Sequence, residues 1–295
     1  MFEFPISGVE TYWWLPPLVA FVVSALSSIA GLSGAFLLLP FQVSFLGYVG
    51  PGVSPTNLLY NIVAIPSGVY RYLRERRMVW SLAWATAVGT LPGVIIGGLI
   101  RIYWLPDPAH FKPFAGAVLL YIGLRLVKTI VKPSAKGSHA GTFRVTNQIF
   151  TLRTTEYDFE GDHYRTSTPA IMALSFIVGI VGGTYGIGGG AIIAPFFVSI
   201  FGLPVYTIAG AALFGTFLTS VVGVLFYWLY GLVISETANV GPDWLLGFML
   251  GIGGAVGTYV GARMQRYLPE RLIKIVLTGL LLFAAVRYLL PLITN

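Results

Sequence analysis

The sequence predicts an all-α polytopic membrane protein with two inverted-topology repeats. Each repeat is a glycine-broken helical hairpin, re-entrant or short-crossing, followed by three transmembrane helices, and a small polar β-hairpin connects the two. Three observations predict this: an apolar composition, a glycine and proline framework that occurs twice, and a lopsided distribution of basic residues. Of 295 residues, 56% are hydrophobic and only 10% charged, and the mean hydropathy is +0.80. A domain surrounded by water would expose large apolar patches with such a composition.

The repeat is read from GLSGAFLLLP at Gly31 to Pro40, which returns as GIGGGAIIAP at Gly186 to Pro195. With an offset of 155, Gly34 falls on Gly189, Pro40 on Pro195, Gly47 on Gly202 and Gly68 on Gly223. A longer loop in the second half then shifts the offset to 164, so that Gly89, Gly93 and Gly97 fall on Gly253, Gly257 and Gly261. A framework kept in order over roughly 100 residues points to duplication.

The elements follow in order. The first residues hold Glu3 and Glu10 and no base, so no secretory signal is expected there. The apolar stretch 15–46 contains the glycine motif. As one helix it would run about 48 Å at 1.5 Å per residue, too long for about 30 Å of hydrocarbon, whereas two half-helices of roughly 20 Å fit a hairpin. Spans are expected near 57–70, 79–100 and 114–131, which closes a first repeat at 1–131. Residues 132–168 are polar, and their alternating strings TFRVTNQIFTL and EYDFEGDHYRT predict a short β-hairpin. The second repeat, 169–295, opens with the broken stretch 170–201 and continues with spans near 208–233, 244–262 and 272–290. Six of the seven tryptophans (13, 14, 80, 104, 228 and 244) sit near segment ends, where indole rings prefer to lie.

Charge sets the orientation. If each broken stretch enters and leaves on one side, 15 of the 18 Lys and Arg lie inside, including the connector, and three (Arg101, Lys112 and Arg287) lie outside. If each crosses once, both repeats face the same way and the division is about 12 to 6. Positive charge belongs on the cytoplasmic side, so inverted repeats and a cytoplasmic connector in a plasma or inner membrane are expected. The loop 231–243 carries Glu236 and Asp243 and no base, while its counterpart in the first repeat reads RYLRERR. A ten-crossing variant gives the same sidedness. The net charge of +7 is thereby explained by topology, with no nucleic-acid partner needed.

The candidate chemistry lies at the hairpin tips. Each half-helix beginning after a tip has backbone N–H groups without intrahelical partners and carries the positive end of the helix dipole. Broken helices in inverted-repeat transporters aim such groups at anionic substrates near the midplane. Candidate binding residues are Ser33, Gly34, Ala35 and Phe36 at the first tip, and Gly188, Gly189, Gly190 and Ala191 at the second. Asn57 and Asn61, spaced i, i+4, share a helix face, and the repeat brings Thr216 to the position of Asn61, with Thr219 and Ser220 one turn on. Gln42, Thr56, Thr184 and Tyr185 are weaker candidates. The alternatives are that the glycines only allow close helix packing and that Asn, Thr and Ser only join helices. A nucleotide-binding loop is disfavoured for GxGGG because no strand precedes it.

All eleven acids and all three histidines fall in predicted loops or at segment ends. Without a membrane carboxylate or imidazole, a proton relay, an acid–base enzyme and an intramembrane protease are disfavoured. No cofactor or metal is implied, and oligomeric state is open.

GIVGGTYGIGGGAIIAPFF and PTNLLYNIVAIPSGVYRYLRERRMVW, followed by GTLPGVIIGGLIR, resemble the sulfite exporter TauE/SafE family of membrane transporters. The resemblance covers both repeats, roughly 250 residues of the chain. It implies transport of small anions, often sulfur-containing ones such as sulfite, sulfonates or sulfoacetate, without fixing the substrate. In this chain the first tip has Ser33 and Ala35 where the second has glycine, which leaves open whether both tips contribute equally. The competing readings are an anion channel without alternating access and a permease for a neutral or cationic solute.

Overall fold

The chain is helical, with an apolar core that also encloses many polar side chains and with further apolar side chains on its outer faces. The structure is a computed structural model that describes residues 1–29, 33–74, 76, 78–131, 145–233, 240–264 and 270–291. Gly31, Glu75, His139, Glu236 and the first part of the connector, 132–144, lie outside the described residues. An N-terminal antiparallel pair, β1 (Phe2–Phe4) and β2 (Val9–Thr11), precedes α1 (Leu15–Ile29). Next come α2 (Ala35–Pro40), which runs on through a π-helical turn at Phe41–Phe45, α3 (Val53–Arg74), α4 (Trp80–Tyr103) and α5 (Pro108–Val131). The connector forms β3 (Val145–Phe150), β4 (Thr154–Phe159) and β5 (Asp162–Ser167). The second half holds α6 (Thr168–Tyr185), α7 (Gly190–Phe201), α8 (Val205–Val233), α9 (Trp244–Met264) and α10 (Glu270–Leu289).

Among the described residues, five helices are long and apolar enough to cross a membrane: Trp80–Tyr103, Pro108–Lys128, Thr168–Tyr185, Thr207–Val233 and Trp244–Gly261. The expected span at 57–70 lies within α3 but is not among them, because that helix carries Ser54, Thr56, Asn57 and Asn61, all turned into the protein and fully buried. In the first broken stretch α1 has 15 residues, about 22 Å at 1.5 Å per residue, and is too short to cross. Its counterpart α6, 18 residues long, is just long and apolar enough to cross.

Outward faces are oily. On α9 Phe248, Ile252, Val256 and Tyr259 are exposed, and on α10 Ile275, Leu280, Phe283 and Val286. Such continuous apolar bands exceed what a water-facing monomer tolerates, and together with the enclosed polar side chains they mark a multi-pass membrane protein.

The matched glycines do equivalent work in the two halves. A Cβ on Gly93 of α4 would stand 2.3 Å from the Phe176 carbonyl oxygen of α6, with Gly97 at 2.3 Å from that of Ile180 and Gly89 at 2.7 Å from that of Met172. On α9, a Cβ at Gly257 would stand 2.3 Å from the Phe21 carbonyl oxygen of α1, with Gly253 and Gly261 pressed on Pro17 and Ala25. Only hydrogen fits at these contacts. The fourth-residue spacing keeps the glycines on one helix face. The opening helix of each half is thus seated on a helix of the other half.

The connector contains the expected β-hairpin and adds a strand to it. The string EYDFEGDHYRT turns back on itself at Glu160 (φ 56°) and Gly161 (φ 90°), so β4 pairs with β5 as well as with β3. Two consecutive left-handed residues, the second a glycine, make the two-residue turn whose twist suits a hairpin. The sheet is fastened to the helices. The Gln148 side chain accepts from the Trp80 N–H at 2.6 Å and donates to the Met78 carbonyl at 3.1 Å, capping α4. The hydroxyls of Tyr157 and Thr207 are 2.8 Å apart at the start of α8, and burial there pushes the Tyr157 phenol up to about 12.

Candidate functional site

Two left-handed glycines make the second break. Gly186 (φ 89°) ends α6, and its N–H and that of Ile187 both donate to the Gly182 carbonyl, at 2.8 and 3.0 Å. Gly188 (φ 72°) turns the chain again before α7 starts. Side-chain-bearing residues pay steric strain in this region, so this tip needs glycine. Neighbours fill the Cβ side of each: Ser54 of α3 against Gly186, Thr216 and Ser220 of α8 against Gly188, Thr90 of α4 against Gly189, and Ala212 against Gly190. Close packing is therefore one use of the glycine run.

The first tip comes to the same place. Asn57 donates from its side-chain amide to the Ala35 carbonyl and to the Gly186 carbonyl, each at 2.9 Å, and accepts from the Gln42 side chain at 3.1 Å. One turn on, Asn61 donates to the Ile187 carbonyl at 3.1 Å and accepts from the Ser33 hydroxyl at 3.3 Å. The Tyr185 hydroxyl donates to the Phe36 carbonyl at 2.9 Å. The shared face of α3 thus joins both chain breaks. Asn57 has both amide hydrogens engaged with carbonyls, so it clamps the tips and has no donor left for a guest.

The tips differ in how their amides are used. At the first, the Ser33 hydroxyl accepts from the Ala35 N–H at 3.3 Å, and the Leu37 and Leu38 amides turn to the Gly34 carbonyl. At the second, the amides of Ile192 and Ile193 reach the Gly189 carbonyl, while those of Gly189 and Gly190 donate to no described residue. Ala191 follows as the second residue of α7. The Ser220 hydroxyl, fully buried and without a hydrogen-bond partner among the described residues, stands 3.3 Å from where a Cβ on Gly188 would be. The Thr216 hydroxyl instead donates to the Ala212 carbonyl at 2.9 Å, and Thr219 donates likewise to Gly215 at 2.7 Å. Of the weaker candidates, Gln42 sits beside Asn57 with a side-chain oxygen that has no partner among the described residues, and Thr56 accepts from the Asp243 N–H at 2.8 Å. Thr184 donates to the Gly97 and Ile180 carbonyls.

Two buried charged residues stand outside the predicted set. Asp243 is fully buried at the start of α9, accepting from the Leu246 N–H at 2.9 Å and from the Ser7 hydroxyl at 2.6 Å. It is a helix N-cap, and an aspartate directly before the first residue of an apolar helix is a signal for one. Arg101, near the end of α4, is also buried. Neither it nor any other described acid, base or histidine hydrogen-bonds at the tips, and no cluster of His, Cys, Asp and Glu that could hold a metal occurs among the described residues.

A profile of the family described as Sulfite exporter TauE/SafE matches residues 17–288. The chain belongs to the sulfite exporter TauE/SafE family. It is similar to a protein named "Probable membrane transporter protein YunE" of Bacillus subtilis, 26% identical over 198 residues, covering 63% of this chain and 67% of that one. It is also similar to "Probable membrane transporter protein y4hK" of Sinorhizobium fredii, 22% identical over 282 residues, 92% of this chain and 96% of that one. No solved structure matches the chain at a significant level. As a TauE/SafE member it is a membrane transporter, and the described residues of its two tips meet on one polar helix.

Proposed function

We propose that this TauE/SafE protein moves a small sulfur-containing oxyanion or organosulfonate, such as sulfite, a sulfonate or a sulfoacetate-like acid, across the cell membrane. The observation that carries this is the second tip. The undonated amides of Gly189 and Gly190 at the positive end of α7 follow directly on Gly188, whose Cβ position lies 3.3 Å from the buried Ser220 hydroxyl without a described partner, and no described carboxylate hydrogen-bonds at this tip. Unpaired N–H groups at a helix start are a ready anion site. The first tip, Ser33 to Phe36, faces the same clamp from the other half, with the Phe36 amide undonated among described residues. In this reading the anion lies at the midplane between the two half-helix starts.

Alternating access follows from how the halves hold each other. The repeats lie in opposite orientations, as the basic residues favour, and the equivalent glycine seams of α4 on α6 and α9 on α1 support that arrangement. Rocking of one half against the other exposes the tips to each side in turn. The connector lies on the cytoplasmic side.

Uptake or efflux in proteoliposomes, run with sulfite, methanesulfonate, sulfate and thiosulfate, tests the proposal. Saturable movement of one or more of these anions is the expected result. Movement of cations or neutral solutes alone would refute it, and a current far above carrier turnover would make the protein a channel.

A further inference from the structure

The guanidinium of Arg101 is buried to 1% exposure in the last turn of α4. Its Nη2 donates to the Gly50 carbonyl at 2.6 Å, its Nη1 to the Leu105 and Pro106 carbonyls, and its Nε to the Ser54 hydroxyl at 3.3 Å. The ring of Phe111 covers its flat face, 4.0 Å from Cζ to the centroid. Every partner is neutral, and among the described residues no carboxylate pairs with it. Asp107 acts on it only through space; an enclosed cation with no carboxylate in contact is costly, and a charged side chain within a spanning segment marks a solute path by default. A loop fastener needs no permanent charge.

Its position relative to the second tip gives the charge a use. The Ser54 hydroxyl that accepts from Arg101 itself donates to the Thr184 carbonyl at 3.0 Å, and the Ser54 backbone is pressed against Gly186. One side chain therefore separates the guanidinium from the chain break. The carbonyls of Gly50, Leu105 and Pro106 come from the two loops that flank it, between α2 and α3 and between α4 and α5.

We propose that Arg101 is a second anion station, which receives the sulfur oxyanion at the membrane face where α4 ends and passes it to the amides of Gly189 and Gly190. This rests on the anion-transport reading above. With the anion absent, loop carbonyls occupy the guanidinium donors and seal that face. An arriving sulfur oxyanion replaces them with stronger, charge-assisted bonds and loosens the two loops.

The test uses an arginine-directed reagent on the wild-type protein in liposomes. Phenylglyoxal adduct at Arg101 is followed by peptide mass spectrometry, in sulfate or in gluconate of equal ionic strength. Modification in gluconate, slowed at least fivefold by sulfate, is the expected result. Arg101 staying unmodified while the protein transports would make it a sealed fastener and overturn the inference, as would modification at equal rates in both salts. Arg101→Gln is expected to raise KM for the anion at least tenfold with a smaller fall in kcat, and Arg101→Lys to recover much of that KM. Equal KM in Arg101→Gln and wild type would also overturn it. If the wild type moves no anion, the transport reading falls, while sulfate protection still reports whether Arg101 binds one.

Discussion

A Cβ placed on Gly190 would stand 1.8 Å from the carbonyl oxygen of Ala212, so α7 begins in direct backbone contact with α8. Backbone cannot rotate away as a side chain can. Gly190→Ala is therefore expected to force the two helices apart, at roughly 1–3 kcal/mol by the measure of overpacked cores, with a lower melting temperature in detergent. Gly189→Ala meets the methyl of Thr90 at 2.6 Å instead and is expected to be milder; a leucine there should abolish transport. Equal melting temperatures for the two alanine variants would show that the contact at Gly190 is relieved by other means.

Ser220 separates binding from packing. A buried hydroxyl with no partner is a liability in the empty protein, so Ser220→Ala is expected to leave the melting temperature unchanged or raised. Transport should nonetheless weaken, seen as a KM at least threefold higher. Unchanged transport kinetics would remove Ser220 from the site.

The two asparagines are expected to fail differently. Asn57→Leu strands the Ala35 and Gly186 carbonyls together, at about 1–3 kcal/mol for each buried unpaired group, and should lose folded yield. Asn61→Leu strands the single carbonyl of Ile187 and is expected to express near wild-type amounts with transport reduced about tenfold. Size-exclusion profiles beside flux measurements decide it. If Asn61→Leu only aggregates, its part was packing.

The glycine seams give a symmetric prediction. Gly93→Val on α4 and Gly257→Val on α9 each drive a branched side chain into a carbonyl 2.3 Å from the ideal Cβ. Similar losses of folded protein are expected from both, while Gly279→Val, with open space around it, should be silent.

The chain breaks were legible because glycine runs before a proline leave few alternatives, and α6 does end at Gly186. The seams were visible as matched glycines, though not the helices they touch, since contact across 80 to 240 residues leaves no local pattern. Polarity at membrane depth marked Asn57 and Asn61, but a sequence does not say whether an amide hydrogen is free, and those of Asn57 are not. Arg101 was missed for a similar reason. A base at the end of an apolar segment reads as an interfacial anchor, and only tertiary structure reveals that loops close over it. The strands at 2–4 and 9–11 are three residues each, too short for alternation to stand out.

The seating of α1 on α9 sets a timetable for biogenesis. Pro17 meets Gly253, and at ribosomal speeds of about 5–20 residues per second that partner emerges on the order of ten to fifty seconds later. Until then the newborn first helix, too short to span unaided, must be sheltered by lipid or by the insertion machinery. α6 faces no such delay, since α4 is already waiting when it arrives. A nascent chain stalled before residue 253 should therefore be handed to quality control with its front end still unmoored.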